Sequence, residues 1–159
     1  MKAYIPVFLI IFTFLFFPLY SKDKEREAKT MELKVTRLTW TKGPEGTKSY
    51  ALISDDPDAP IGTWVHWVLY NIPSNVISLP ENVQKSKRLD IGALHGKNDF
   101  RNFGYGGPCP PGGTHRYYFK VYALDSMIDA GPGLTKKELI KEMEKHILAQ
   151  GELIGKYSR

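Results

Sequence analysis

Cysteine is nearly absent from this chain. Cys109 is the only one in 159 residues, so no intrachain disulfide can form and stability has to come from a buried core. Blocks of Lys or Arg are missing too, and 22 basic against 17 acidic side chains leave a formal charge of only +5. That balance argues against nucleic acid as a partner and leans mildly towards small anions or membrane surfaces. The sequence has no glycine-rich phosphate loop of the strand-to-helix kind, no repeat and no low-complexity tract, and the lack of a Gly-x-Ser-x-Gly elbow leaves a Ser-His-Asp enzyme little support. What it does have is 42% hydrophobic, 25% charged and 13% aromatic residues, which excludes intrinsic disorder. The length suits one aromatic-rich globular domain plus a tail.

The tail is at the start. Lys2 is the only charge in residues 1–20, and Ala3 to Tyr20 is a run of Ile, Phe, Leu and Val. A basic start, an apolar core and then a polar stretch form the layout of a signal peptide and predict an exported protein. The run exceeds the usual ~7–15 residues and reaches the lower edge of a spanning helix, roughly 17–25, so an uncleaved membrane anchor is the alternative. Residues 21–30, beginning SKDKEREAK, read as a charged linker, and 31–159 as the domain.

Within the domain, period-two alternation marks strands at Leu33 and Val35, Leu38 and Trp40, and Tyr50 to Ser54. Trp64 to Ile72 is apolar in both registers, as a strand covered on two faces would be, and Tyr117 to Leu124 is a second aromatic strand. The Gly and Pro residues between them exclude a long helix, leaving loop with short strands over 74–114. One helix is expected near the end. Thr135 caps it in a Thr-x-x-Glu box with Glu138, Leu139, Ile140, Met143, Ile147 and Leu148 form its apolar stripe, and Gly151 stops it. The pattern predicts a mainly β fold, an antiparallel β-sandwich with a C-terminal α-helix.

Ser54 to Pro60 holds three carboxylates and two prolines, more acid than turn chemistry requires beside a buried strand. His66, by alternation, shares a face with Trp64, Val68 and Tyr70, where a lone imidazole is usually a core residue. His115 opens the later strand, with Tyr117 about 6.6–6.8 Å along on the same face. Should these strands be neighbours, two imidazoles, a carboxylate and a phenol converge. Such a cluster suits an anion pocket, a two-His, one-Asp metal site or an Asp-His general base. The metal reading is the weaker, because the ligands lie far apart in sequence with no local pair. Cys109, between Pro108 and Pro110, reads as a small packed residue, not a nucleophile.

The segments Asp56-Pro57-Asp58-Ala59-Pro60, Trp64-Val65-His66-Trp67 and Tyr105-Gly106-Gly107-Pro108-Cys109-Pro110-Pro111-Gly112, followed by Thr114-His115-Arg116-Tyr117, resemble the phosphatidylethanolamine-binding protein family, also called Raf kinase inhibitor-like, in its bacterial and archaeal branch. The similarity runs from about Gly43 to Gly155-Lys156-Tyr157. It implies a Greek-key-like β-sandwich with a preformed pocket for phosphate or the phosphoryl headgroup of a lipid. Asp56, His66, Gly107, Pro111, His115 and Tyr117 would line the pocket, Trp64 would form part of its wall, and Asp58 and Arg116 would brace the loops. The resemblance implies a binding module, not an enzyme, with no metal or cofactor. A kinase or protease would be the protein partner, and an Asp/His hydrolase of a phosphoryl or acyl group is the alternative. The stretch before Trp40 is roughly two dozen residues shorter than in this branch, so a missing edge strand and pairing as a homodimer are expectations as well.

Overall fold

The computed structural model describes residues 37–159. The expected leader, linker and Leu33–Val35 alternation lie outside that range. Seven strands and one helix follow in order: β1 Arg37–Thr39, β2 Ser49–Asp56, β3 Trp64–Pro73, β4 Ser78–Pro80, β5 Leu94–His95, β6 Thr114–Leu124, α1 Lys136–Met143 and β7 Ile147–Ser158. The antiparallel order β5-β3-β2-β6-β7 makes the main sheet, and β1 with β4 makes a two-stranded ribbon. The mainly β antiparallel class expected from the alternation is therefore the one the chain adopts.

Two faces of the main sheet are covered by different things. On one face Leu52, Trp67, Leu69, Phe119 and Val121 cluster with Leu38 and Leu79 of the ribbon. On the other, Ile53, Val68 and Tyr70 pack on Ile128, Leu139 and Met143 from the α1 side. All eight residues of β2 are buried in consequence. A strand in that position can carry a charge only with a partner. Asp55, pointing to the helix side, has two: Lys120, at 3.3 Å, and Lys136 of the first turn of α1.

The pairing of β2 with β3 slips twice. Tyr50 faces Ile72 but Leu52 faces Leu69, and the extra residue includes Asn71 in the left-handed region at φ 56°. Its amide then acts as a piece of strand, taking the Ile128 N–H on Oδ1 (2.8 Å) and giving Nδ2–H to the Ile128 carbonyl (2.9 Å). The second slip lies between Ser54, facing Trp67, and Asp55, facing Val65, which leaves His66 as the inserted residue.

The helix expectation needs correcting. The capping box forms, with Glu138 N–H donating to Thr135 Oγ1 and Thr135 N–H to Glu138 Oε2, and Leu139 and Met143 are buried. The helix nonetheless ends at Met143, where His146 N–H turns back to the Met143 carbonyl. Ile147, Leu148 and Gly151 belong to β7, which pairs with β6 from Leu124 to Thr114, so the last element is a strand and not the helix. The apolar spacing at 139, 140, 143, 147 and 148 mimics one helical stripe, but only two of those side chains find cover. A full ladder of hydrogen bonds outweighs the remaining turns.

Gly96 offers a test of how tightly these layers close. A Cβ there would sit 2.1 Å from the Leu134 carbonyl oxygen and 2.5 Å from Val68 Cγ1, whereas a Cβ at Gly112 would meet nothing within 4 Å. Gly96→Ala should cost about 1–3 kcal/mol or more in urea unfolding, and Gly112→Ala less than about 0.5 kcal/mol. Equal losses at both positions would contradict this packing.

Candidate functional site

The second slip in the β2–β3 pairing decides the site. In an unbroken strand His66 would share the helix-side face with Val68 and Tyr70, as alternation predicts. With the inserted residue it turns to the ribbon side instead, and its ring meets that of Tyr117 edge-on, centroids 5.1 Å apart. The expectation that it lies with Val68 and Tyr70 is wrong for that reason. Trp64 does stay with it, because both rings pack against Phe100 at 5.4 Å.

The three acids of the 54–60 segment divide their work. Asp56, on the ribbon side of β2, accepts from His115 Nδ1 at 2.7 Å through Oδ2 and from the Asp58 N–H at 2.8 Å through Oδ1. Asp58 takes Arg116 in a fork, with Nη2 at 2.6 Å and Nε at 2.8 Å, and also its N–H at 2.9 Å. The Arg116 guanidinium therefore holds the Asp58 carboxyl down at about 2. This pair joins the loop after β2 to the start of β6, and alternation places Arg116 on the face opposite His115. Asp55 is the helix-side anchor described above.

His66, His115 and Asp56 are all buried. His66 Nδ1 lies 2.6 Å from the Gly106 carbonyl, which fixes the proton on Nδ1 and leaves Nε2 as the acceptor of the neutral ring. Burial holds His66 below the usual imidazole value, against the opposing pull of Gly106 and the Asp56 charge. Tyr117 is fully buried, and its hydroxyl feels the Asp56 charge without reaching hydrogen-bonding geometry with any described residue. Burial first, then Asp56, push its ionisation far above the ordinary phenol value, so it remains a donor.

The structure thus brings Asp56, His115, His66, Tyr117 and Trp64 together. The backbone of Gly106 and Gly107 lies against the His66 ring, and Pro111 is exposed four residues before His115. Cys109 is exposed, 3.6 Å from Arg159 Nη1, and so is not the packed residue expected from its prolines. Phe100 and Asn98 go unremarked in the sequence, and Tyr105 enters only as the start of a motif. Phe100 walls the imidazole, and Tyr105, buried enough to be pushed up to about 12, stacks between Trp67 and Phe119. Asn98 sets the loop, giving Nδ2–H to the Gly104 carbonyl and receiving the Asn102 N–H. Among the described residues no group of three or more His, Cys, Asp or Glu is arranged to hold a metal.

A mainly β domain with a buried cluster of imidazoles, phenol and carboxylate at one end of its sheet is the class of protein defined so far. The family model for phosphatidylethanolamine-binding proteins matches residues 20–158. A UPF0098 protein of Methanothermobacter thermautotrophicus is 49% identical over 122 residues, 77% of this chain and 81% of that one. Two crystal structures superpose with a TM-score of 0.71: a homologue of the family from Chlamydia trachomatis, 39% identical over 77% of this chain and 80% of that one, and YbcL of Escherichia coli, described as a new member of the mammalian family, 38% identical over 77% and 79%. The chain belongs to the phosphatidylethanolamine-binding protein family.

The buried imidazoles predict a pH dependence of stability. His66 and His95 both lie below 6.5, chiefly through burial. The folded rings stay neutral while their unfolded counterparts take up protons, so the stability they contribute is whole above about pH 6.5 and is lost as pH falls from there. The melting temperature should drop from pH 7.5 to 5.5 by the linkage just described, and His66→Gln and His95→Gln should each flatten that slope. An unchanged slope in both variants would show that the rings are not buried neutral.

Proposed function

We propose that the cluster at the sheet's end is a binding pocket for a phosphoryl group, on a small molecule or a lipid headgroup, and that it binds without turning its ligand over. The observation that carries this is the Asp56–His115 contact at 2.7 Å beside a buried Tyr117 hydroxyl with no partner among the described residues. Asp56 orients the ring of His115, Tyr117 is a donor held in an apolar wall, and His66 becomes a second donor once protonated. Fixed donors of this kind suit an oxyanion and need no helix terminus. A phosphorylated protein segment carries the same dianion, and through it the pocket would regulate a kinase or a protease.

The sign of the pH effect follows from His66. A phosphate dianion beside it favours the imidazolium, so its ionisation rises on binding and a proton is taken up. Affinity for phosphate monoesters should increase as pH falls from about 8 to 6, by at most about tenfold per unit for one proton, and flatten as the ligand's own second ionisation near ~6 removes charge. Calorimetry with propyl phosphate in buffers of different ionisation heat reads both affinity and proton uptake. His115→Ala should weaken binding about tenfold or more, and Asp56→Ala more mildly. Wild-type affinity in both His115→Ala and His66→Ala would place the site elsewhere. Release of p-nitrophenol from its phosphate or acetate ester, lost in His115→Ala, would instead make the Asp56–His115 pair the general base of a hydrolase.

The leader supports a second proposal, that the domain is exported or tethered to a membrane. No helix of the described residues is long and apolar enough to cross a membrane; the tether would be the apolar run of residues 3–20. Fractionation of the full chain checks this, and a soluble cytosolic protein that keeps residues 1–20 would end it.

A further inference from the structure

Beside the pocket runs a groove of about 470 Å³ that shares Phe100, Tyr105, Gly106 and Gly107 with it. Its other side is basic. Lys85, Lys97 and Arg101 line it, all three exposed, and none of them forms an ion pair with a described residue. The only acid between Gly96 and Gly107 is Asp99, whose Oδ2 is spent on the Val65 N–H at 2.7 Å.

The groove is shaped by more than chance surface lysines. Lys97 Nζ lies 4.4 Å above the Phe103 ring and donates to the Arg101 carbonyl at 3.2 Å. Arg101 itself is held in the left-handed region at φ 63°, where a non-glycine residue is strained, by its N–H on the Asn98 carbonyl (2.9 Å) and the Asn98 side chain on Asn102 N–H (3.0 Å). Gly104 allows the Lys85 backbone to approach so closely that a Cβ there would lie 3.1 Å from Lys85 Cα. Three like charges line one concavity with no acidic partner among the described residues, so an anion that enters it is attracted to all three.

We infer that this groove is a second anion subsite, so that the ligand is a small molecule with two anionic groups on a short linker, one phosphoryl in the pocket and the second on Lys85, Lys97 and Arg101. The inference rests on the phosphoryl reading of the pocket. It also sets a preference: a ligand whose second group is an ammonium, as in phosphoethanolamine, would bring a cation against three others, whereas a second phosphoryl or carboxylate would be attracted. Joining the two groups makes the second contact intramolecular, so affinity gains from the linkage as well as from the charge.

The test is calorimetry near neutral pH with propyl phosphate, phosphoethanolamine and a series of linear alkanediol bisphosphates of roughly two to eight carbons, spanning the reach of a short linker. One linker length should bind about tenfold or more tighter than propyl phosphate, and that gain should shrink between about 50 and 300 mM salt because exposed charges are screened. In the combined variant Lys85→Ala, Lys97→Ala, Arg101→Gly, checked for an unchanged melting curve, the bisphosphate should fall to within about twofold of propyl phosphate, which itself stays within about twofold of wild type. Arg101→Gly relieves the strained φ, so a folding defect is not expected. Bisphosphates of every length binding no tighter than propyl phosphate, or a preference that survives in the variant, would overturn the subsite while leaving the pocket standing. Absence of propyl phosphate binding in the wild type would overturn both.

Discussion

Everything polar in the centre of this fold has to be excused from a sheet that is buried on both sides. β2 and β3 are covered by the ribbon on one face and by α1 with its approach on the other, so a side chain with charge or hydrogen-bonding capacity needs a partner or a displaced backbone. The two slips in their pairing supply the displacement. At Asn71 the extra residue becomes a clamp that holds Ile128 to the sheet, and at His66 it swings an imidazole from the helix side to the side where Tyr117 lies. His66 joins Asp56, His115 and Tyr117 because the ladder is imperfect at that point.

Electrostatics then separates support from site. The Arg116–Asp58 fork is half exposed and lies on the far side of β6, where it fastens the acidic loop away from the His115 ring. Asp55 spends its charge on Lys120 and Lys136 and thereby fixes the start of α1 to the sheet. Only Asp56 is directed at an imidazole. The three carboxylates thus tie β2 and its loop to two elements, β6 and α1, and the alternation of β2 sends Asp55 and Asp56 to opposite faces.

Much of this was legible beforehand. The run apolar in both registers marked β3, the aromatic alternation from Tyr117 marked β6, and Thr135 with Glu138 marked the helix start. The convergence of Asp56, His115 and Tyr117 followed from period two once the strands were neighbours. The turning of His66 did not follow, since an inserted residue leaves no trace in a strand that is apolar on both faces. β7 was hidden for the opposite reason. As an edge strand with most side chains exposed, it has no buried face to impose alternation, and its Ile147 and Leu148 fell by accident on the helical period of Leu139 and Met143. Phe100 carried no signal beyond being aromatic in a loop, and Tyr105 only its place at the head of a Gly/Pro motif.

The pairing of β6 with β7 also has a consequence for the order in which the protein becomes competent. His115 is opposite Tyr157 and Thr114 opposite Ser158, so the flank of the pocket is closed by almost the last residues of β7 to leave the ribosome. Until then β6, with Phe119 and Val121 along it, is an open edge on an otherwise assembled sheet. A chain without β7 in place would leave a hydrophobic strand free to pair with whatever is near. The β6–β7 pairing is thus also what keeps an apolar edge covered, and a chaperone that shields extended apolar strands would find its substrate wherever that pairing is undone.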